Sequence, residues 1–422
     1  MSIINKNRIY GHWIIKSLAV LFAYSLTAFN FSDIMLAVRE TPSAYYAESE
    51  AELNSGLAAQ GIPAGLSVCA VSSGDESLGS YNCRVEYRLL GLLPLKSVSA
   101  KIGQRAYAVP CGQAVGISIY TEGVLVVGLA SFKCEDGRAV SPASEAGLKA
   151  GDLIINACGY GISTASELQS VIDQNTEGVE LSVIRSGKTI ELRVVPQLAF
   201  GAGAEAGYRI GAWIRDSTIG IGTLSYYDAE TGTAAALGHA VVDVDTGTLL
   251  TVKDGKLVLA ELIGVTKGAK GSPGELRGTF DSESPVIGTI SGNKELGVYG
   301  SISVEALNYL PEEELPVAFP SEVHNGPAVL ITSVDRDGAK RYSCRIVKTG
   351  AQNAPAQKGL VIEIDDPLLL EKTGGIVQGM SGSPILQDGK LVGVVTHVFV
   401  NDPQKGYGAY AYWMLKTLFD QA

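Results

Sequence analysis

Residues that ligate metal ions are scarce in this sequence and lie far apart. Only four histidines and six cysteines occur in 422 residues, and no Cys-x-x-C or Cys/His pair has metal-site spacing. The sequence therefore predicts no metal centre, and we expect no cofactor. The cysteines are either buried free thiols or disulfide-bonded, and Cys69 with Cys83 is the simplest pairing if a disulfide forms.

Clusters of basic residues are also missing beyond the N-terminus. The chain has 33 Lys and Arg against 44 Asp and Glu, a formal net charge of -11. Because nucleic-acid binding requires clustered cations that displace counterions, this composition argues against a DNA or RNA partner. The length predicts two or three domains, and 50 glycines against 16 prolines predict many turns and short strands.

An uncharged apolar run lies near the N-terminus. Lys6, Arg8 and Lys16 precede residues 17–29. Basic residues stay on the cytoplasmic side of a membrane, so this order predicts that the rest of the chain is exported. The run is short for a spanning helix, and no clean Ala-x-Ala site follows it. We interpret residues 1–32 as a retained anchor slightly in preference to a removed signal peptide.

The next segment is weakly patterned. Residues 33 to about 80 are polar and rich in alanine and glycine, which predicts a stalk or linker. Short apolar runs at 85–95 and 98–102 predict two strands of a small β module. We therefore interpret residues 33–108 as a linker followed by that module.

Residues 109–198 predict a separate domain. Strand-like segments lead to the sequence SPASEAGLKAGDLI, which begins at Ser141. A helix is predicted over residues 164–174, and Thr164 with Glu167 has the spacing of a capping box. Two strands joined by a hairpin turn close the segment.

This stretch resembles a PDZ domain, especially those of bacterial proteases. The resemblance implies that a peptide is bound by strand addition at a sheet edge, with its terminal carboxylate held by a loop of backbone amides. It places these roles on Gln113, Ala114, Val115 and Gly116 (loop), on Ile117 and Ser118 (start of the edge strand) and on Leu168 (helix wall of the groove). Leu168 is equally well interpreted as plain core.

Residues 199–422 contain many short strands separated by Gly, Asp and Asn turns, without βαβ alternation. This pattern predicts an all-β barrel or sandwich, and residues 410–419 predict a C-terminal helix.

The most specific local motif is Gly-Met-Ser-Gly-Ser-Pro at residues 379–384. A serine becomes nucleophilic when a base removes its proton and amides stabilise the oxyanion. A glycine-flanked turn exposes Ser381 and directs the amides of Gly379 and Ser381 into one space. The strand–turn–strand pattern that follows is similar to that of trypsin-like proteases. By that resemblance Thr396, His397 and Val398 line the substrate strand.

A general base and an orienting carboxylate complete such a site. His239 follows an apolar strand early in the predicted barrel, and is the best base; His397 is the alternative. For the carboxylate, spacing leaves three candidates open, namely Asp366, Asp243 and Asp281.

Together these motifs resemble the stage IV sporulation protein B (SpoIVB) peptidase family. The segments that carry the resemblance are residues 89–96, the PDZ-like stretch, and residues 237–240, 297–300, 374–384 and 396–402. The resemblance implies a mostly β chain: an N-terminal membrane anchor, a PDZ domain, then a chymotrypsin-like double β-barrel with a C-terminal helix. It also implies a catalytic His239, Ser381 and Asp366.

The family resemblance further implies a function in spore formation. Such a peptidase is exported into the space between the forespore and mother-cell membranes and cleaves itself near its N-terminus. It then cuts the regulatory partner of a membrane-embedded metalloprotease, which triggers pro-sigma-K processing. We expect the PDZ-like groove to hold the chain's own N-terminal segment for self-cleavage. The alternatives are a non-enzymatic PDZ scaffold and an HtrA-like quality-control protease, although HtrA proteases place PDZ after the protease domain.

Overall fold

The computed structural model describes residues 31–39, 41, 44–59, 61–77, 80–134, 136–200, 207–281, 283–350 and 354–419. The apolar run predicted to anchor the chain lies outside these residues. Within the described ranges, no helix is both long enough and apolar enough to cross a bilayer. The described residues form two compact units. One contains the chain up to Ala106 together with Phe319–Glu322, and the other contains the remainder from Tyr107.

The first unit is a four-stranded sheet with two helices. Its elements are α1 (Phe31–Arg39), β1 (Ala44–Ala47), α2 (Glu50–Ala59), β2 (Leu66–Ser77), β3 (Ser80–Leu89) and β4 (Leu93–Ile102). The strand order is β1-β4-β3-β2, and β1 runs parallel to β4.

The prediction of a stalk or linker over residues 33–80 was wrong, because this segment contributes to a folded core. Ile34 and Val38 on α1, and Leu53 and Leu57 on α2, are buried in one cluster with the sheet. Each pair has the four-residue spacing that places side chains on one helix face. The surrounding alanines, glycines and polar residues hide this short pattern in the sequence.

All six cysteines are free thiols. In the β2–β3 ladder Cys69 lies opposite Glu86, and Cys83 lies opposite Ser72. This register separates the two cysteines by three residues along the strands, or about 10 Å, which is beyond the reach of a disulfide. The pairing considered from the sequence is therefore not formed.

The second unit begins with β5, a strand of 23 residues. Its first elements are β5 (Tyr107–Leu129), β6 (Phe132–Lys133), β7 (Ala139–Val140), α3 (Pro142–Glu145), β8 (Leu153–Ala157), β9 (Tyr160–Gly161), α4 (Ala165–Gln174), β10 (Val179–Arg185), β11 (Lys188–Val194), β12 (Gln197–Ala199) and β13 (Gly207–Arg209). The helix predicted over residues 164–174 is confirmed as α4, and Thr164 and Glu167 form both hydrogen bonds of the capping box. Strands β11, β10 and β8 extend the sheet from the C-terminal part of β5.

The N-terminal part of β5 belongs to a closed ring of six strands. The following elements are β14 (Ala212–Tyr227), β15 (Thr233–Ala236), β16 (Val252–Leu259), β17 (Glu261–Thr266), β18 (Glu275–Thr279), β19 (Val286–Lys294) and β20 (Gly297–Ile302). The pairing order is β5-β14-β15-β20-β19-β16, and β16 returns to pair with β5.

A second closed barrel follows along the chain, and a C-terminal helix comes after its last strand. The remaining elements of the chain are β21 (Leu315–Pro316), which pairs with β5, then β22 (Gly326–Ser333), β23 (Ala339–Thr349), β24 (Leu360–Ile364), α5 (Pro367–Thr373), β25 (Pro384–Gln387), β26 (Lys390–Phe399), β27 (Asp402–Tyr410) and α6 (Ala411–Phe419). The barrel order is β22-β23-β24-β27-β26-β25. The predicted mostly β, barrel-containing fold is thus confirmed, and so is the C-terminal helix.

The residues predicted to capture a peptide carboxylate, Gln113 to Gly116, do not form an exposed loop. Together with Ile117 and Ser118 they lie within β5, paired with β14 on one side. From Val115 to Ser118 the other side of the strand is paired with β16. The prediction of a loop and an edge strand here was wrong, because these backbone edges already form ladder hydrogen bonds and cannot accept an added strand.

The buried carboxylate of Asp152 anchors the β8–β10 region. Arg185 donates to it through Nε and a terminal nitrogen at 2.6 Å each, and the amide of Lys149 donates at 2.9 Å. Asp152 is fully buried, so removing it leaves the guanidinium without its partner.

We predict that Asp152→Ala lowers the free energy of unfolding by about 3 kcal/mol, measured by denaturant titration. The matched control is Asp136→Ala, which breaks an exposed Asp–Arg pair to Arg138 and is expected to change stability little. Equal effects of the two substitutions would contradict this account.

Candidate active site

A cavity of about 470 Å³ contains most of the residues predicted for catalysis. The first barrel contributes His239, and the second contributes Gly379, Ser381 and residues 396–398 of β26. The rest of the wall is largely aliphatic, with Ile117, Ile221, Leu237, Ile376, Val377 and Val400 among its members. The chemistry-bearing side chains therefore face an apolar space that can hold an extended peptide.

The turn that carries Ser381 requires glycine on both sides. Gly379 and Gly382 have φ of 95° and 98°, a conformation that L side chains rarely adopt. A Cβ on Gly382 would lie 2.5 Å from Thr223 O. Among the described residues, neither the amide of Gly379 nor that of Ser381 donates to a backbone carbonyl. The oxyanion role of these two amides stays a prediction from the sequence.

The hydroxyl of Ser381 donates to the carbonyl of Thr396 at 2.9 Å and not to His239. Thr396 in turn donates through its own hydroxyl to Gln357 O at 2.8 Å. A rotation about the Cα–Cβ bond of Ser381 is therefore needed before its proton can pass to a base. Such catalytic hydrogen bonds commonly form only when substrate is bound.

His239 follows a strained segment. Leu237, a bulky residue, has φ of 73°, and Gly238 has φ of 69°. Beyond the histidine, the side-chain amide of Asn293 accepts from Val241 N at 2.9 Å and donates to Val241 O at 2.7 Å. These two hydrogen bonds fix the chain immediately after His239.

The ring of His239 is held by a backbone carbonyl. Its Nδ1 lies 2.9 Å from Ala240 O. When Nδ1 carries the proton and donates to that carbonyl, Nε2 is left as the acceptor that a general base needs.

The structure does not bring any candidate aspartate to His239. Asp366 is the N-cap of α5 and accepts from Leu368 N and Leu369 N at 3.0 Å, and from Ser343 N at 3.1 Å. The Asp-Pro order matches a helix start, in which Pro occupies the first turn. Asp366 as an orienting carboxylate therefore stays a prediction from resemblance.

The other two candidates also have local roles. Asp243 is buried and paired with Arg215. Although burial opposes ionisation, hydrogen bonds from Thr246 and the charge of Arg215 hold the pKa of Asp243 below its ordinary value. Asp281 lies in an exposed turn, where the amide of Glu283 and the hydroxyl and amide of Ser284 lower its pKa.

His397 stands beside His239, with 5.2 Å between the ring centroids. Burial, and then the neighbouring His239 and Lys358, hold the pKa of His397 below its ordinary value. His324 is on the surface, 2.8 Å from Asp388, and His12 lies outside the described residues.

Sequence reasoning missed Thr223, a buried residue of β14. Its hydroxyl donates to Gly379 O at 2.7 Å, and its carbonyl accepts from Leu237 N at 3.1 Å. One residue thus joins the nucleophile turn to the segment that precedes His239. No local signal marks it, because a threonine in a strand is ordinary. Asn293, which fixes the chain after His239, has a weak sequence signal, because it is a polar residue at the end of an apolar strand.

A second cavity of about 260 Å³ lies between α4 and the first residues of β14. Leu168 and Ile172 from α4 line one wall, and Ile210, Trp213 and Ile214 line the other. Among the described strands, only β5 pairs with residues 212–215, so their opposite edge faces the cavity. Leu168 therefore lies in a groove that has a free strand edge. That edge belongs to residues 212–215, whereas the sequence predicted an edge strand that begins at Ile117 and Ser118.

Comparisons with known proteins identify a peptidase family in the second unit. A family model described as SpoIVB peptidase S55 matches residues 206–415. No curated protein matches the chain. Among solved structures, the Rv3671c protease from M. tuberculosis in its active form is similar at 15% identity, over 48% of this chain and 74% of that chain, with a TM-score of 0.26. No residue role is transferred from that structure.

We predict that Thr223→Val reduces kcat by about tenfold to a hundredfold with a smaller change in KM, because the nucleophile turn loses its link to the His239 segment. The measurement is steady-state hydrolysis of a peptide substrate by folded protein. Thr121→Val is the matched control, since this buried strand threonine also donates to a backbone carbonyl but lies outside the cavity. Equal kcat losses in both variants would refute the positioning role.

Two substitutions of Asp366 separate its role as a helix cap from a role in catalysis. Asp366→Asn retains a good cap and is expected to keep kcat within a few-fold. Asp366→Ala is expected to lower the free energy of unfolding by about 1 kcal/mol. Both are measured by denaturant titration and peptide hydrolysis. A loss of about 10⁴-fold in kcat for Asp366→Asn, with stability unchanged, would instead show that Asp366 orients His239.

Proposed function

Residues 206–415 of this chain belong to the SpoIVB peptidase S55 family, a family of serine peptidases, and we propose that the protein is a signalling endopeptidase that uses Ser381 and His239 to cut itself and one dedicated protein substrate. The observation that supports this most directly is that both residues line one cavity, although they are 142 positions apart in the sequence. The amides of Gly379 and Ser381 lie beside the nucleophile.

In the proposed reaction, Nε2 of His239 takes the proton of Ser381 as Oγ bonds to the substrate carbonyl carbon. The carbonyl oxygen becomes an oxyanion, to which the amides of Gly379 and Ser381 donate. His239 then gives the proton to the leaving amine as the C–N bond breaks. Water repeats the sequence on the acyl-enzyme and releases the acid product.

The cavity also suggests how the substrate is held. Thr396, His397 and Val398 lie where β26 extends past its pairing with β25, so that only β27 pairs with this stretch among the described strands. We propose that the substrate backbone adds to this free edge. The aliphatic wall favours apolar side chains next to the cut bond.

We further propose that residues 109–198 act as a PDZ-like peptide-binding module, with the groove between α4 and residues 210–214. The support is a free strand edge that faces an apolar helix, which is the arrangement used in strand addition. Deleting this segment would not test the idea, since β5 is also a strand of the first barrel.

The biological role is proposed from the motif resemblance to SpoIVB peptidases. On that basis the protein is exported, through residues 1–32, into the space between forespore and mother-cell membranes. There it would cut the regulator of a membrane-embedded metalloprotease and so start pro-sigma-K processing. Self-cleavage is expected outside α1, α2 and the strands of the first unit, because a protease requires an extended and accessible segment.

We predict that the wild-type chain shortens from its N-terminus on incubation, whereas Ser381→Ala stays intact. Intact mass and N-terminal mapping of both proteins measure this. A third variant, Trp213→Ser, removes an exposed aromatic residue of the groove and is expected to slow self-cleavage while leaving hydrolysis of a short peptide unchanged.

Other outcomes separate the alternatives. If both wild type and Ser381→Ala shorten alike, another protease makes the cut. If neither shortens and no active-site probe labels Ser381, the protein is a scaffold. Unchanged self-cleavage in Trp213→Ser would remove the groove from the mechanism without affecting the assignment of the nucleophile.

A further inference from the structure

The first unit has an exposed apolar turn that the proposed catalysis does not use. We call residues 90–95, which comprise the β3–β4 turn and the first three residues of β4, the leucine tip. Leu92 and Leu93 are 79% and 60% exposed, and Leu90 and Leu95 are 40% and 36% exposed. Four exposed leucines in six residues form a concentrated apolar surface, whereas isolated exposed leucines are ordinary in soluble proteins.

The leucine tip itself is uncharged, and charged residues lie only at its base. No charged residue occurs between Arg88 and Lys96. Arg88 pairs with Glu86 at 2.6 Å, and Nζ of Lys96 donates to Val38 O at 3.0 Å. Glu86 offsets the charge of Arg88, so Lys96 supplies the net positive charge at the base of the tip. An uncharged apolar turn with a net cation at its base suits an anionic lipid surface, in which leucines enter the acyl boundary and the cation remains near the headgroups.

The hydrogen bond from Lys96 also connects the tip to α1. This helix begins two residues after the apolar run 17–29, and it spans nine residues, or about 13 Å. Val38 lies near its far end. The hydrogen bond thus fixes the base of the leucine tip to the C-terminal half of α1, about 10 Å along the helix axis from its first residue, Phe31.

Helix α1 itself exposes apolar side chains. Ile34 and Val38 face the core, whereas Met35 and Leu36 are 46% and 51% exposed. Met35 and Leu36 thus add two apolar side chains to the exposed surface of the first unit, on a helix whose other exposed residues, Ser32, Asp33 and Arg39, are polar.

We propose that the leucine tip, together with Met35 and Leu36, inserts into the outer layer of the membrane to which residues 1–32 attach the chain. The first unit then serves as a membrane-docking module and not merely as a spacer. This inference rests on the proposed membrane association of the N-terminal segment. A protein partner would instead require polar groups for specificity, and the tip offers no side-chain polar group at all.

The test uses the full chain carrying Ser381→Ala, so that it stays intact, reconstituted into vesicles of phosphatidylglycerol and phosphatidylethanolamine. Leu92→Trp places a reporter at the tip. Ser99→Trp, an exposed position on β4 six residues from Leu93 and about 20 Å away, is the control. Quenching of tryptophan emission by brominated lipid is measured relative to the parent chain, while flotation reports membrane association.

We expect both variants to float, with at least about twofold quenching for Leu92→Trp and none beyond the parent for Ser99→Trp. Flotation without quenching of Leu92→Trp would overturn the inference and leave the anchor intact. Failure to float would overturn both the anchor and the docking surface. A blue-shifted Leu92→Trp emission already present in the absence of vesicles would show that protein covers the tip, and would also overturn the inference.

Discussion

The candidate active site depends on two hydrogen bonds made by one buried threonine. Thr223 binds Gly379 O through its hydroxyl and Leu237 N through its carbonyl. The first bond fixes the turn that presents Ser381, and the second fixes the strained segment before His239. Because the nucleophile and the base come from different barrels, neither barrel alone can set their separation. The buried hydrogen bonds are directional, so they constrain that separation more tightly than aliphatic packing would.

The second constraint is that β5 belongs to two parts of the unit. Ile117, near its middle, lines the catalytic cavity, while Leu125 to Leu129 pair with the strand that borders the proposed peptide groove. The ladder between β5 and β14 is interrupted between Tyr120 and Leu125, but the backbone of β5 continues through the interruption and joins the groove to the cavity. The tandem order of the two modules in the sequence hides this sharing. It also explains why the boundary predicted near residue 198 does not separate two independent folds.

The sequence predicted what short-range chemistry determines. The glycine-flanked turn of Ser381, the capping box of α4 and the C-terminal helix each depend on residues within one or two turns of the chain. Long-range pairing was not predictable in the same way. Residues 113–118 have the composition of any edge or central strand, and only β14 and β16, about 100 and 140 residues later, decide which it is. The role of Asp366 was also not predictable from local sequence, since an aspartate before proline fits a helix cap as well as it fits a catalytic role.

The way His239 is held has consequences for the rate of reaction. A backbone carbonyl such as Ala240 O selects the Nδ1–H tautomer as well as a carboxylate does, but it carries only a partial charge. The carbonyl therefore stabilises the imidazolium of His239 less than a carboxylate would when the proton moves from Ser381. In serine proteases, replacing the orienting aspartate by a neutral amide that favours the wrong tautomer costs about 10⁴-fold in kcat. A neutral acceptor that selects the correct tautomer should lower kcat by less than this factor. The enzyme should still have a lower kcat than a digestive protease that has an orienting aspartate. A slow intrinsic rate agrees with the proposed function, in which one substrate binds in the groove, because its high effective concentration there would offset the slow rate while proteins that do not bind would be spared.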